Sequence, residues 1–280
     1  MIIPESLGRF YLILLLLGNR SNNIREVVER FSKVLHLHTL HATTGRKLAI
    51  SIVDIITLGL YRHRQGIVTK KAVYEEFNML CSYKTLVVNL NRFAHIAGVI
   101  LAVILKMNRD NQHPIKHVDS TSIQVCMFKN VNSHKTMKQL AAFSKNKHGT
   151  YFGLKLHLIS DYERKILRIF FTPANVDDRA PVMDMSVDIG GILIGDAGYV
   201  SKKLEREFHQ ERQRIFMGKP RKNMKKLASW IQLKLYDTRA LIELNFRSLK
   251  MFHGLITSLP RSVAGYFANY IYSILAYVIA

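Results

Sequence analysis

Cysteine, proline and acidic residues are scarce in this sequence. Its 280 residues include 2 cysteines, 6 prolines and 20 Asp and Glu. Cys81 and Cys126 are far apart and match no zinc-ligand spacing. We therefore expect them to be buried thiols of a protein from a reducing compartment.

The hydrophobic run near the N terminus is too short to cross a membrane. The run FYLILLLLG at residues 10–18 is apolar up to its glycine but spans fewer than ten residues, whereas a membrane span needs about 20. It also lacks the basic start and small-residue cleavage site of a signal peptide. We interpret it as a core helix, and expect a cytoplasmic protein without a membrane-spanning segment.

Positive charge is the strongest feature that the sequence does have. There are 41 Lys and Arg, giving a formal net charge of +21 and a pI near 10.0. Such an excess favours a polyanionic partner, either nucleic acid or an acidic membrane surface. Hydrophobic residues make up 48% of the chain, which is ample for a packed core and argues against wholesale disorder.

The hydrophobic pattern divides the chain near residue 110. Residues 1–110 show helical periodicity. The polar run NRDNQHPIKH, which contains Pro114, marks the boundary. Residues 111–280 mix strand and helix patterns, which predicts an α/β domain behind an all-helical N-terminal domain.

Five segments of the second domain have the composition of strands, and three have that of helices. The predicted strands are IKHVDSTSIQV, YFGLKLHLIS, ILRIFFT, GGILIGDAG and RIFMG. The predicted helices cover about 178–188, 201–212 and 228–253. The second and third strands form an antiparallel hairpin in this interpretation.

Three carboxylates are candidates for a common site. Asp119 lies in the middle of the first strand, where Asp is disfavoured. Asp196 follows the short apolar strand, at the strand end where open α/β sheets place ligands. Taken singly, each is equally compatible with a turn or cap residue.

The third carboxylate, Glu243, lies among cations in YDTRALIELNFRSLK. On one continuous helix Tyr236, Arg239, Glu243, Arg247 and Lys250 would fall within an arc of about 80°. This is either a surface salt-bridge ladder or a metal ligand beside phosphate-binding cations. Three converging carboxylates would suit Mg²⁺ or Mn²⁺, and two such ions can serve phosphodiester chemistry.

The spacing Tyr236-x2-Arg239-x3-Glu243-x6-Lys250 resembles the Y-R-E-K signature of bacterial insertion-sequence DDE transposases. The segments HVDST and IGDAGYVS resemble that family's two Asp motifs, and FGLKLHLI and FTPANVDDR resemble its intervening segments. The resemblance covers roughly residues 115–275.

This resemblance implies a ribonuclease-H-like mixed sheet flanked by helices, in which Asp119, Asp196 and Glu243 hold two Mg²⁺ ions, with Mn²⁺ as a possible substitute. Tyr236, Arg239 and Lys250 would support and contact the DNA end. It further implies cleavage at element ends and strand transfer to target DNA, by a homodimer or higher oligomer. Residues 1–110 would recognise the terminal repeats.

Further basic residues are candidate DNA contacts. Lys155 and His157 share one face of their strand, and we expect them near the site, although a solvated face would give the same pattern. The run KPRKNMKK favours phosphate contact over a merely solvated loop. The DNA-contact candidates outside the Y-R-E-K signature are Arg247, Lys155, His157, Lys219, Arg221, Lys222, Lys225 and Lys226.

Some features have simpler explanations. Asp177 and Asp178 are predicted to cap a helix beginning near Arg179, with a minor possibility of acting as extra acids. Trp230 is predicted to be a core residue first and a base-stacking residue second. His36, His38 and His41 lack companion ligands for zinc, so we expect structural or DNA-facing roles.

Three other functions stay open. An inactive DNA-binding descendant of a transposase would bind ends without cutting, and a metal-dependent nuclease of the same fold would cut without joining. A peripheral membrane protein would need a polybasic amphipathic helix. We rank it last because the cations are spread over loops and both halves.

Overall fold

The computed structural model describes residues 19–37, 48–77, 79, 81–146, 149–212, 214–220 and 229–280. The chain forms two compact units. The helical unit comprises Met1–Ala102, Leu249–Leu255 and Leu259–Ala280, and the sheet unit comprises Val103–Ser248 and Ile256–Ser258. The N-terminal run at residues 10–18, together with His38 and His41, lies outside the described residues.

The regular elements follow one another in a simple order. The helices are α1 (Asn19–Val34), α2 (Ile52–Arg64), α3 (Lys70–Glu76), α4 (Tyr83–Arg92), α5 (Ala94–Asp110), α6 (Val182–Met185), α7 (Lys202–Arg212), α8 (Trp230–Asp237), α9 (Ala240–Met251) and α10 (Val263–Val278). The strands are β1 (Ile115–Met127), β2 (Ala142–Asn146), β3 (Gly149–Asp161), β4 (Ile166–Pro173), β5 (Ile192–Gly195) and β6 (Ile215–Gly218).

Helix α10 packs within the helical unit, although the sequence pattern grouped it with the second domain. It contacts α2 at Gly59, where an added Cβ would lie 2.6 Å from the Tyr272 ring. The Tyr272 hydroxyl donates to the Leu90 carbonyl at 3.2 Å. An apolar helix of this kind joins whichever unit buries it, because burial supplies the stabilisation.

The six strands of the sheet unit form one mixed sheet in the order β2-β3-β1-β5-β6, with β4 also paired to β3. Strand β3 is antiparallel to β1, β2 and β4. Strands β1, β5 and β6 are mutually parallel. The predicted hairpin is the β3–β4 pair.

Apolar residues on both faces of this sheet are buried. Val118, Tyr199 and Phe208 belong to the larger core, while Ile194 and Tyr236 belong to a smaller one. The predicted ribonuclease-H-like mixed sheet flanked by helices, with a helical N-terminal region before it, is therefore confirmed.

The predicted helix over 228–253 is two helices, because the chain turns at Thr238 and Arg239. The Thr238 hydroxyl donates to the Leu235 carbonyl at 2.6 Å and lies 2.8 Å from His117 Nε2. A buried histidine on the neighbouring strand thus holds the turn. The prediction that Tyr236 and Glu243 share one straight helix face was therefore wrong.

Two other elements differ from the sequence prediction. Strand β2 was not among the five predicted strands, and it pairs with the start of β3. The helix predicted over 178–188 is only the four-residue α6. Its N-cap is Pro181, without a side-chain hydrogen bond, so neither Asp177 nor Asp178 caps it.

Exposure also corrects two expectations. Both cysteines are free, and both are partly exposed rather than buried. Trp230 is 72% exposed and so is not a core residue. Within the described residues, Tyr83–Asp110 is long and apolar enough to cross a membrane by length and composition, a property that core helices of soluble proteins share.

Candidate active site

The two aspartates lie side by side at one edge of the parallel strands. In the register of β1 and β5, His117 is opposite Ile194. Two residues further along the chain are Asp119, within β1, and Asp196, directly after β5. Because adjacent parallel strands advance together, both carboxylates lie at the same level of the sheet.

Glu243 joins them from the first turn of α9. Arg239 immediately precedes this helix and forms an ion pair with Glu243. The same guanidinium nitrogen is 3.9 Å from Asp119 Oδ2. Arg239 thus lies between Asp119 on β1 and Glu243 on α9. Its ion pair with Glu243 is therefore not only a salt bridge along one helix surface.

The pKa of Asp119 depends on its burial and on the charged groups around it. Burial raises the pKa of Asp119 to about 7. The Ser120 amide and Arg239 lower this pKa, whereas Asp196 and Glu243 both raise it. The charges of Asp196 and Glu243 are therefore near enough to Asp119 to disfavour its ionised form.

Asp196 also shapes the turn that follows its strand. Its Oδ1 accepts a hydrogen bond of 2.8 Å from the Gly198 amide. A Cβ at Gly198 would lie 3.0 Å from that oxygen, so the glycine leaves room for the carboxylate. The sequence DAG is thus both a turn and part of the candidate site.

The donor chemistry of the three acids fits a hard divalent cation. Carboxylate oxygens are the ligands that Mg²⁺ and Mn²⁺ prefer. The Arg239 guanidinium already places a positive charge between Asp119 and Glu243. No three acidic, His or Cys side chains of the described part of the chain lie close enough to form a complete metal-binding group.

The Tyr236 side chain is buried. Its hydroxyl donates to the Gly218 carbonyl at 3.1 Å. This bond attaches α8 to the end of β6, just before Lys219. Lys219 is exposed, and its amide donates to the Gly195 carbonyl, adjacent to Asp196.

His157 and Lys155 lie on the sheet face opposite Asp119. Their partners in the β1–β3 register are Ser120 and Ser122, and successive residues of a strand point to opposite faces. His157 is fully buried, with Nε2 2.8 Å from the Thr172 hydroxyl. The expected DNA contact of His157 is therefore not supported.

The Lys155 ammonium group binds to other groups of the protein. Its ammonium group donates to Asp178 Oδ1 at 2.9 Å and to the Val176 carbonyl at 2.8 Å. Asp178 also accepts from the Ser120 hydroxyl at 2.8 Å. Sequence reasoning gave Asp178 only a minor role, since no local signal links residues so far apart in the chain.

The remaining predicted DNA contacts lie in different places. Arg247 is exposed on α9, in the sheet unit. Lys250 is partly exposed near the end of α9, within a segment of the helical unit. Arg221, Lys222, Lys225 and Lys226 lie outside the described residues.

Comparison with known families identifies a match over the region that contains these residues. Residues 109–262, more than half of the chain, match the family described as Transposase DDE domain. The chain belongs to this family of DDE transposases. Asp119, Asp196 and Glu243 all lie within the matched region. No curated protein matches the chain.

Solved structures give only distant similarities. A pre-cleavage Mos1 transpososome is 11% identical, with a TM-score of 0.26 over 99% of this chain and 96% of that one. A Mos1 strand transfer complex is 10% identical, with the same score of 0.26 over 98% and 95%. These values are too low to establish a shared fold, so the fold assignment depends on the sheet topology and the family match.

Proposed function

We propose that the protein is a bacterial insertion-sequence transposase of the Y-R-E-K branch. It cleaves DNA at the ends of its element and joins the freed 3′ ends to target DNA. The observation that carries this proposal is the match to the DDE transposase family of a region in which Arg239 pairs with Glu243 and lies 3.9 Å from Asp119. The chain's net charge of +21 supports a DNA substrate.

Asp119, Asp196 and Glu243 are the proposed holders of two divalent cations, Mg²⁺ or Mn²⁺. When bound, such ions stabilise the charge that develops on the attacking and leaving oxygens of a phosphodiester. The side chains contribute oxygen donors on rigid supports, one within strand β1, one directly after strand β5 and one on helix α9. Glu243 is 58% exposed and therefore reachable from solvent.

Cations around the acids are proposed to hold the DNA backbone. Arg239 pairs with Glu243, the backbone of the exposed Lys219 bonds to Gly195 beside Asp196, and Arg247 is exposed one helical turn beyond Glu243. Lys250 and the cations of the 221–226 segment extend this set along the chain. Tyr236 positions α8 through its bond to Gly218.

The other parts of the proposal concern assembly and location. Residues 1–110 would recognise the terminal repeats, with phosphate contacts dominating the affinity. Cutting two ends requires at least a dimer on DNA. The protein would work in the bacterial cytoplasm, associated with the nucleoid.

The test is cleavage and joining of a labelled duplex that carries the element's own terminal repeat, with Mg²⁺, Mn²⁺ or EDTA. We expect metal-dependent cleavage followed by a joined product. Glu243→Gln should lose at least about a hundredfold in cleavage, which corresponds to about 3 kcal/mol of transition-state stabilisation. DNA binding should remain.

Glu207→Gln is the matched control. Glu207 also pairs with a cation four residues away on a helix surface, Lys203 at 3.7 Å, and should show unchanged cleavage. Cleavage without any joined product would favour the nuclease of the same fold. Binding without cleavage in every metal would favour the inactive descendant, and would leave Arg239 and Glu243 as a salt bridge only.

A further inference from the structure

A second carboxylate lies behind the strand that carries Asp119. Ser120 follows Asp119, and its amide donates to Asp119 Oδ1 at 2.8 Å. The Ser120 hydroxyl donates to Asp178 Oδ1, also at 2.8 Å. Ser120 therefore contacts one carboxylate on each side of the sheet.

Lys155 completes this arrangement from the neighbouring strand. Its ammonium group donates to the same Asp178 oxygen and to the Val176 carbonyl. The Lys155 side chain is largely shielded and that of Asp178 is partly shielded. The loop after β4 is thus attached to β1 and β3 at the level of the candidate site.

The surroundings of Asp178 connect it with Asp196 as well. Asp178 and Lys155 line a cavity of about 550 Å³ together with Ala197 and Gly198, which directly follow Asp196. Tyr199 is buried nearby. Burial raises the Tyr199 pKa, and the negative charges of Asp119, Asp178 and Asp196 raise it further.

From this geometry we infer that Asp178 is a positioning residue, which fixes Asp119 through Ser120 and thereby sets the metal affinity of the site. The inference depends on the proposed function, because it assumes that Asp119 is a metal ligand. Partners that orient metal ligands are worth about 10–100-fold in metal affinity or activity. Asp178 itself contacts Ser120 and Lys155, and it is not proposed to touch substrate.

Asp177 provides a matched control in the same loop. It carries the same charge, but it pairs with the exposed Arg179, accepting from the Arg179 amide at 2.8 Å and from its guanidinium at 2.7 Å. Asp177→Asn and Asp178→Asn therefore change the net charge equally. They differ in whether the connection to Ser120 is lost.

The first measurement is Mn²⁺ affinity of the full chain, by calorimetry or by the electron paramagnetic resonance signal of free Mn²⁺. Asp178→Asn should weaken Mn²⁺ binding about 10–100-fold. Asp177→Asn should stay within about twofold, as expected for an exposed pair. In end cleavage, Asp178→Asn should lower kcat and leave the KM for DNA unchanged.

A double-mutant cycle tests whether the effect passes through Ser120. Ser120→Ala should weaken Mn²⁺ binding, and adding Asp178→Asn to it should cost much less than Asp178→Asn alone. Ser120→Ala removes a single hydroxyl, so it keeps the test valid if Asp178→Asn fails to fold. Additive effects, or equal effects of Asp177→Asn and Asp178→Asn, would overturn the inference.

The two proposals fail in different ways. If the unchanged protein binds no Mn²⁺, the proposed function and this inference fall together. If it binds Mn²⁺ and cleaves DNA, but neither Asp178→Asn nor Ser120→Ala alters the affinity, only the role of Asp178 is overturned.

Discussion

Two buried charged residues, one in each unit of this protein, differ in how many close partners they have. In the helical unit, the Arg62 guanidinium donates to the Ile67 and Val68 carbonyls and to Asn269 Oδ1, at 3.2, 2.7 and 3.1 Å. In the sheet unit, Asp119 accepts from the Ser120 amide and lies 3.9 Å from Arg239. Close partners on several sides offset the cost of burying a charge, whereas a carboxylate with few partners retains the capacity to bind a cation.

The largest expected effect is the loss of DNA cleavage when the Asp119 charge is removed. Asp119→Asn should reduce end cleavage by at least about a thousandfold, because a bound metal ion supplies several kcal/mol of charge stabilisation and each 1.36 kcal/mol is tenfold in rate. The measurement is the single-turnover rate with Mg²⁺. The exposed Asp184 provides a control, since Asp184→Asn should cleave normally. A similar loss in both variants would refute a specific role for Asp119.

The second prediction concerns the fully paired charge. Arg62→Met should lower the free energy of unfolding of the helical unit by about 3 kcal/mol, because it leaves an amide oxygen and two carbonyls without their charged donor. Chemical denaturation followed by circular dichroism measures this. Arg64→Met, at a partly exposed position of the same helix, should stay within about 0.5 kcal/mol. Equal losses of stability in Arg62→Met and Arg64→Met would show that the hydrogen bonds of Arg62 do not contribute specifically.

The third prediction is that removing the Asp119 charge stabilises the protein at high pH. The folded-state pKa of about 7 lies above the ordinary value, so the folded protein prefers the protonated acid. Its contribution to stability is present at low pH and is lost as pH rises through about 7. Asp119→Asn should therefore raise the melting temperature by a few degrees at pH 8.5 in EDTA, and by less at pH 5, where only part of the loss has accumulated.

A lower melting temperature would contradict the prediction for Asp119→Asn. If Asp119→Asn lowers the melting temperature at pH 8.5, the charge of Asp119 is stabilising, and the site is as fully paired as Arg62. A gain in stability together with the loss of cleavage would instead show the trade-off expected of an active site.

The smallest predicted effect concerns the support beneath the site. Tyr236→Phe should cost about 1 kcal/mol of unfolding free energy, because the Gly218 carbonyl loses its donor. Tyr162→Phe removes a hydroxyl from a half-exposed tyrosine and should change stability little. If Tyr236→Phe alters DNA affinity without altering stability, Tyr236 contacts DNA as the Y-R-E-K resemblance implied.

The sequence alone predicted five of the six strands, named the three acids as candidates and indicated the family of this protein. These features are local: Asp119 stands out because Asp is disfavoured within a strand, and Asp196 because it ends a short apolar one. The Y-R-E-K spacing added a resemblance that the family match confirmed at the level of a DDE transposase.

Only the tertiary structure decided which groups each side chain meets. His117 and Thr238 hold the turn that separates α8 from α9, although they are 121 positions apart in the chain. Asp178 became a partner of Ser120 and Lys155 instead of a helix cap, and His157 was buried against Thr172. Local patterns specify an element and its apolar face, but burial and hydrogen bonding depend on residues distant in the chain, which only the folded protein brings together.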